Sequence, residues 1–336
     1  TKTTEEIIAS DGVLFLLVNP SREPVRYAEE NAHCWDERDR ASKTWAWDEK
    51  DRWLMAVEAD TGKELWKKQQ RVVPLTLAAD GRGVFFHDGQ EVVCLDRKNG
   101  EQVWGSEPVS RVSPVPTGYS PKLVVYQDVV LFSGKKGELT ALSAETGEIL
   151  WTSKLPSSGH FCPEDVFVID GLVWAGAIAN ARDSGVFTGQ DVHTGEVKRE
   201  FAPDVETFYM HQRCYPSKAT VRYLIPSRTG TEFIDPQTGH WIIHHWVRGG
   251  CIYGVMPCNG LLYTPPHSCA CYYQSKLNGF CALAPAKEPK VESESKKGEV
   301  SDDIRLEKGP AYSRDRGQKT EGRGQNREAN DWPTYR

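Results

Sequence analysis

The residues best suited to chemistry gather late in this chain. Of its nine cysteines, six fall between Cys214 and Cys281. They sit in four local motifs: His211-Gln212-Arg213-Cys214-Tyr215, Arg248-Gly249-Gly250-Cys251, Met256-Pro257-Cys258-Asn259-Gly260 and His267-Ser268-Cys269-Ala270-Cys271. Three readings of the sulfur stay open. Disulfides suit an exported protein, and an odd count leaves at least one thiol over. Soft sulfur and imidazole donors suit a metal, for which Cys214, His267, Cys269 and Cys271 have the right types, with His211 nearby. Free thiols also pack well as small buried groups. Cys-x-Cys lacks the two-residue spacer of common zinc knuckles, and no Cys-x-x-Cys-His is present for covalent haem.

The same motifs place charge. His211, Arg213, Arg248, Asn259 and His267 fall near the ends of successive expected strands, where neighbouring units could aim them at one ligand. Two guanidinium groups and an imidazole suit an anion such as a carboxylate, a phosphate or a sulfated sugar. The competing reading gives each arginine to the carbonyls of its own turn. His244 and His245, on one strand, point to opposite faces and are poorly placed to share an ion. Asp128, Asp170 and Asp235 read as turn formers rather than catalytic carboxylates.

What must position these residues is a recurring signature, Leu/Val-x-x-x-Thr/Asn-Gly-x-x-x-Trp. It appears at Val57 to Trp66, Leu95 to Trp104 and Leu142 to Trp151, with weaker copies at Asp191 to Gly195 and Ile234 to Trp241. The glycines at 62, 100, 147, 195 and 239 are 38, 47, 48 and 44 residues apart, the period of a four-stranded propeller blade. Thr-Gly or Asn-Gly between apolar runs signals a tight hairpin, because glycine supplies the positive φ that the turn needs. A further strand precedes each hairpin, opened at Asp11-Gly12, Gly83, Asp128, Asp170-Gly171, Arg222 and Asn259-Gly260. This predicts an all-β propeller of four-stranded blades, six of them visible, with the tryptophan as a wedge between neighbours.

The stretches Ala59-Asp60-Thr61-Gly62-Lys63-Glu64-Leu65-Trp66 and Ala141 to Trp151 resemble the tryptophan-docking motif of the pyrroloquinoline-quinone-type (quinoprotein-like) β-propeller repeat family. The resemblance covers roughly residues 5 to 285. It implies a ring of seven or eight blades, and the region from His211 to Ala286 is similar to the last blades of large planctomycete-type propeller proteins. The family includes quinone-dependent alcohol dehydrogenases, an outer-membrane assembly lipoprotein and many bacterial proteins without assigned role. Dehydrogenases of the family use a calcium or lanthanide, a catalytic Asp, a tryptophan floor and an adjacent Cys-Cys pair. This sequence has no adjacent cysteines and no matching Asp segment, which weighs against pyrroloquinoline quinone as its cofactor. The expected role is a ligand- or protein-binding, scaffolding module of a larger bacterial envelope protein, periplasmic or envelope-located. A quinone-dependent dehydrogenase or a polysaccharide-acting propeller is the alternative.

Composition agrees. The 336 residues are 39% hydrophobic and 10% aromatic with 29 Gly, 20 Pro and 11 Trp, suiting many short strands and turns. A net charge of -6 argues against a nucleic-acid surface. No run of 18 apolar residues and no basic-then-apolar leader occurs in the sequence shown. The propeller is expected over 1–286. Residues 287–330 are dense in charge with Tyr312 as their one aromatic, too little to offset the cost of ordering, and read as a disordered linker. Residues 331–336 read as the start of a following segment. A charged insert from Arg22 to Arg52, carrying Trp35, Trp45 and Trp47, reads as a loop or lid over one face.

Overall fold

The structure is a computed structural model, and it describes residues 3–20, 49–109, 123–134, 137–156, 165–178, 183–206, 215–226, 228, 230–244, 247–250, 254–266, 277 and 279–285. The chain divides into two compact units, Thr1–Ala284 with Thr334–Arg336, and Pro285–Pro333. The expected linker over 287–330, the segment 331–336 and the insert between 22 and 48 lie outside the described residues.

The larger unit is all-β, built from consecutive antiparallel meanders. Sheet one holds β1 (Thr3–Ser10), β2 (Val13–Asn19), β3 (Arg52–Glu58) and β4 (Glu64–Gln70). Sheet two holds β5 (Ala78–Ala79), β6 (Gly83–His87), β7 (Val92–Asp96) and β8 (Gln102–Gly105). Sheet three holds β9 (Leu123–Tyr126), β10 (Val129–Ser133), β11 (Glu138–Ser143) and β12 (Ile149–Lys154). Sheet four holds β13 (Phe167–Ile169), β14 (Leu172–Gly176), β15 (Phe187–Asp191) and β16 (Val197–Phe201). Sheet five holds β17 (Lys218–Ala219), β18 (Leu224–Ile225), β19 (Thr231–Ile234) and β20 (Trp241–His244). Sheet six has three described strands, β21 (Met256–Cys258), β22 (Leu261–Thr264) and β23 (Cys281–Leu283). Every second strand expected from its Asp-Gly or Gly opening forms.

Each signature hairpin closes in the same way. Gly62, Gly100, Gly147, Gly195 and Gly239 take φ of 69 to 77°, and each amide donates to the carbonyl four residues earlier. The side chain just before the glycine pins the turn: Thr61, Asn99, Thr146, Thr194 and Thr238 accept from the amide two residues on.

A β-bulge follows in the first four sheets, between Ala56/Val57, Cys94/Leu95, Ala141/Leu142 and Gly189/Gln190. The extra residue turns the fourth position after the glycine toward the next sheet. Trp66, Trp104 and Trp151 stand at that position. Their indole Nε1 atoms donate to Arg97 O (2.8 Å), Ala144 O (3.1 Å) and Val192 O (2.9 Å), each three residues before the next sheet's glycine. The rings cover Gly100, Gly147 and Gly195, where an added Cβ would meet ring carbon at 2.8, 2.5 and 2.8 Å.

Five apolar clusters fill the junctions between consecutive sheets. Phe15, Leu54 and Trp66 meet Val84 and Leu95 in the first. Trp174, Phe187, Ile234 and Trp241 meet in the fourth. Sheet five departs from the expected pattern: β19 and β20 pair without a bulge, and its tryptophan, Trp241, stands two rather than four residues after the hairpin glycine, opposite Ile234. At that position Trp241 faces back into the junction with sheet four, where it meets Phe187 edge-on at 5.8 Å, rather than forward as a wedge toward sheet six.

Candidate functional site

An up-down meander puts its connections at two ends, and here the ends differ. At the hairpin end every connection is two to six residues long, from Asp11-Gly12 to Asn259-Gly260. At the other end run all the long ones, including 20–51, 106–122, 155–166, 202–217, 245–255 and 265–280. Buried polar side chains gather at this loop end: Arg52, His87, Ser133, Arg228, Glu232 and Thr264 are each under 5% exposed.

The hairpin end is knitted by polar links between sheets. Arg97, on sheet two, donates to Ser10 Oγ on sheet one at 3.0 Å and to Asp80 O of its own sheet at 2.6 Å. His193 Nε2 lies 2.9 Å from Asp128 Oδ1, and Gln237 Nε2 donates to Asp170 Oδ2 at 3.2 Å. The bond from His193, with the backbone amide of Asp128, holds the Asp128 carboxyl below the ordinary carboxylate range. Asp128 and Asp170 thus lie in two-residue turns and tie sheets together, while Asp235 Oδ1 accepts the Gln237 amide at 2.8 Å.

Of the residues expected at a site, Arg248 and Asn259 are described, and they lie at opposite ends of the chain's meander. Arg248 precedes β21 at the loop end, 3% exposed, with its guanidinium 5.7 Å over the Tyr215 ring. The Tyr215 hydroxyl donates to Gly230 O at 2.9 Å and accepts the Gly249 amide at 3.4 Å, so loops entering sheets five and six are held together there. Asn259 is the first residue of the β21–β22 turn at φ 54°, at the hairpin end. The structure therefore does not bring Asn259 to Arg248, because a two-residue turn faces away from the loop end. His211, Arg213, Cys214, His267, Cys269 and Cys271 lie outside the described residues.

Among the described residues Cys94, Cys258 and Cys281 are free thiols. Burial, with Asp80 adding to it, pushes the Cys94 thiol up to about 12. No group of three His, Cys, Asp or Glu side chains able to hold a metal occurs among the described residues.

Trp66, Trp104 and Trp151 are committed to inter-sheet docks, with the indole N–H bonded and the ring against glycine. A cavity between sheets four and five, lined by Asp165, Phe167, Trp174, Phe187, Ser217 and Leu224, measures about 20 Å³, room for one water rather than an organic ligand.

Sequence reading missed one functional side chain. Arg199 occupies the docking position four residues after Gly195, and its Nη1 donates to Pro236 O at 3.3 Å and Gln237 O at 2.6 Å. Pro236 stands three residues before Gly239, in register with the carbonyls that accept the indoles. Aligning the repeats on their glycines would have exposed it, since Arg stands where three copies have Trp.

Residues 88–206 match the family profile described as "Outer membrane protein assembly factor BamB". The protein of that name from Burkholderia pseudomallei (strain K96243) is 28% identical over 160 residues, 43% of this chain and 38% of its own length. The chain thus spans about two fifths of that relative. Among solved structures, BamB from Moraxella catarrhalis aligns with TM-score 0.43 at 16% identity, covering 76% of this chain and 64% of that one. The computationally designed Ika8 protein aligns with TM-score 0.46 at 12% identity, covering 77% and 67%. With the docked indoles and the glycine hairpins, the match identifies the repeats within residues 88–206 as those of the pyrroloquinoline-quinone-type β-propeller family.

Proposed function

We propose that this chain is a protein-binding, scaffolding propeller module of a bacterial cell envelope, within a larger protein, and that its loop end is the binding face. The observation that carries the reading is the asymmetry of the meanders. Tight turns of two to six residues leave little freedom at one end, while every long connection leaves from the other. The buried charged side chains at that end, among them Arg52 paired with Glu5 at 2.8 Å, hold the strand ends from which the long connections depart. The similarity of residues 88–206 to an outer membrane protein assembly factor supports a protein partner and an envelope setting. No helix among the described residues is long and apolar enough to cross a membrane.

Site-specific photocrosslinking in envelope preparations tests this. A crosslinker at the exposed loop-end positions Glu107 or Lys154 is expected to give discrete protein adducts, and one at the exposed hairpin-end positions Lys98 or Glu145 is not. Adducts only at the hairpin end, or carbohydrate rather than protein adducts at the loop end, would overturn the reading.

A further inference from the structure

We infer that the junction between sheets four and five is the joint at which this propeller opens, so that sheets five and six part from sheets one to four as a unit. The inference is independent of what the loop end binds. It rests on how this junction is built compared with the three before it.

Junctions one to three share one device. An indole at the bulged register position fills the gap and bonds its N–H to the next hairpin. At the fourth junction the device is absent. Sheet four presents Arg199, an exposed side chain, and its bonds to Pro236 O and Gln237 O compete with water. Phe201 rather than an indole covers the hairpin glycine, Gly239. The missing ring volume is supplied from the other side by Trp241, two residues after Gly239, at the position occupied by Val197 in sheet four.

The substitution leaves the interior imperfect. The Nε1 atoms of Trp174 and Trp241 are both buried there without a hydrogen-bond partner among the described residues, in side chains 2% and 1% exposed. The 20 Å³ cavity lies against Trp174. A buried donor left unmet favours any state in which water reaches it, so parting these sheets recovers two hydrogen bonds that parting the others would break.

Around its apolar cluster, the hydrogen-bonded links that close the junction lie near its edges. Arg228, on the β18–β19 connection, reaches back to sheet four and donates to Ala177 O at 3.3 Å and Asp183 O at 2.7 Å. Asp204, beyond β16, accepts the Trp241 amide at 3.0 Å and lies 2.5 Å from His240 Nδ1. Such links break singly and re-form with water, unlike an interlocked ring. Sub-global opening follows the boundary where packing is poorest and solvated links most numerous. The match to the family profile also stops at residue 206, at the end of sheet four.

Native-state hydrogen exchange on the full chain, read peptide by peptide by mass spectrometry, tests this. Peptides from β18 to β22 are expected to exchange together, about tenfold or more faster than those from β6, β7, β10 and β11. Arg199→Ala is expected to speed the first group about tenfold further and to leave the second within about twofold, with Arg199→Lys in between. One common rate across all six sheets overturns the inference, as does an Arg199→Ala effect equal in both groups. The unsubstituted protein decides the matter if a variant fails to fold.

Discussion

Arg199 Nη1 meets Pro236 O at 3.3 Å in the same register at which Trp104 Nε1 meets Ala144 O at 3.1 Å. Two chemically unlike side chains thus perform one docking task at different junctions. The indole adds a buried ring to its hydrogen bond, whereas the guanidinium adds charge that remains in water. Trp104→Ala is expected to cost about 3–5 kcal/mol, the usual range for a buried aromatic, since Trp104 is 9% exposed. Arg199→Ala is expected to cost about 1 kcal/mol. Urea unfolding of the two variants beside the parent compares them directly.

The hairpin glycines separate a backbone requirement from a packing requirement. Gly62 takes φ 73° with nothing described within 4 Å of an added Cβ, whereas at Gly147, with φ 77°, the Cβ would lie 2.5 Å from the Trp104 ring. Gly62→Ala is expected to lose about 1 kcal/mol from the left-handed backbone alone. Gly147→Ala adds overpacking and is expected to lose about 2–4 kcal/mol. Equal losses in thermal unfolding would show that the ring does not press on the turn.

Thiol reactivity should sort the described cysteines. Cys94 is 4% exposed and its thiol is pushed up to about 12, so at pH 8 it is neutral and shielded. Cys258 and Cys281 are partly exposed. Iodoacetamide at pH 8 is expected to label Cys258 and Cys281 well before Cys94, with mass spectrometry of the digested protein locating the adducts. Early labelling of Cys94 in native buffer would mean that sheet two opens readily.

Acid should weaken the clasp between Asp204 and His240. The bond from His240, with the Trp241 amide, holds the Asp204 carboxyl below its ordinary range. A depressed carboxylate contributes stability above its unfolded value of about 3.9, and that contribution is lost as pH falls through the folded value. The pair is exposed, so the contribution is at most about 1 kcal/mol. Asp204→Asn is expected to lower the unfolding midpoint slightly at pH 7 and to match the parent once the carboxyl of the parent is protonated. A deficit that persists unchanged into strong acid would assign the effect to the Trp241 amide bond alone.

The amino-acid sequence by itself determined the repeating unit. Glycine at positive φ, preceded by a small side chain that bonds the amide two residues on, is a local rule, and it held at all five hairpins. The second strands were legible for the same reason, since short apolar runs beside Asp-Gly turns need no distant information. That positions two and four after the glycine face opposite neighbours was decided only in three dimensions, by a bulge between them that no single residue encodes, so the two-residue spacing of Trp241 from Gly239 acquired its meaning only there. Arg199 was within reach of the sequence, four residues after its glycine where three copies have Trp, but the carbonyls it meets on the next sheet were not. Asn259 and Arg248 looked like neighbours in a list of strand ends, yet strand direction sends one to the hairpin end and the other to the loop end. Local turn chemistry is written residue by residue, whereas which ends and faces meet depends on register accumulated along whole strands.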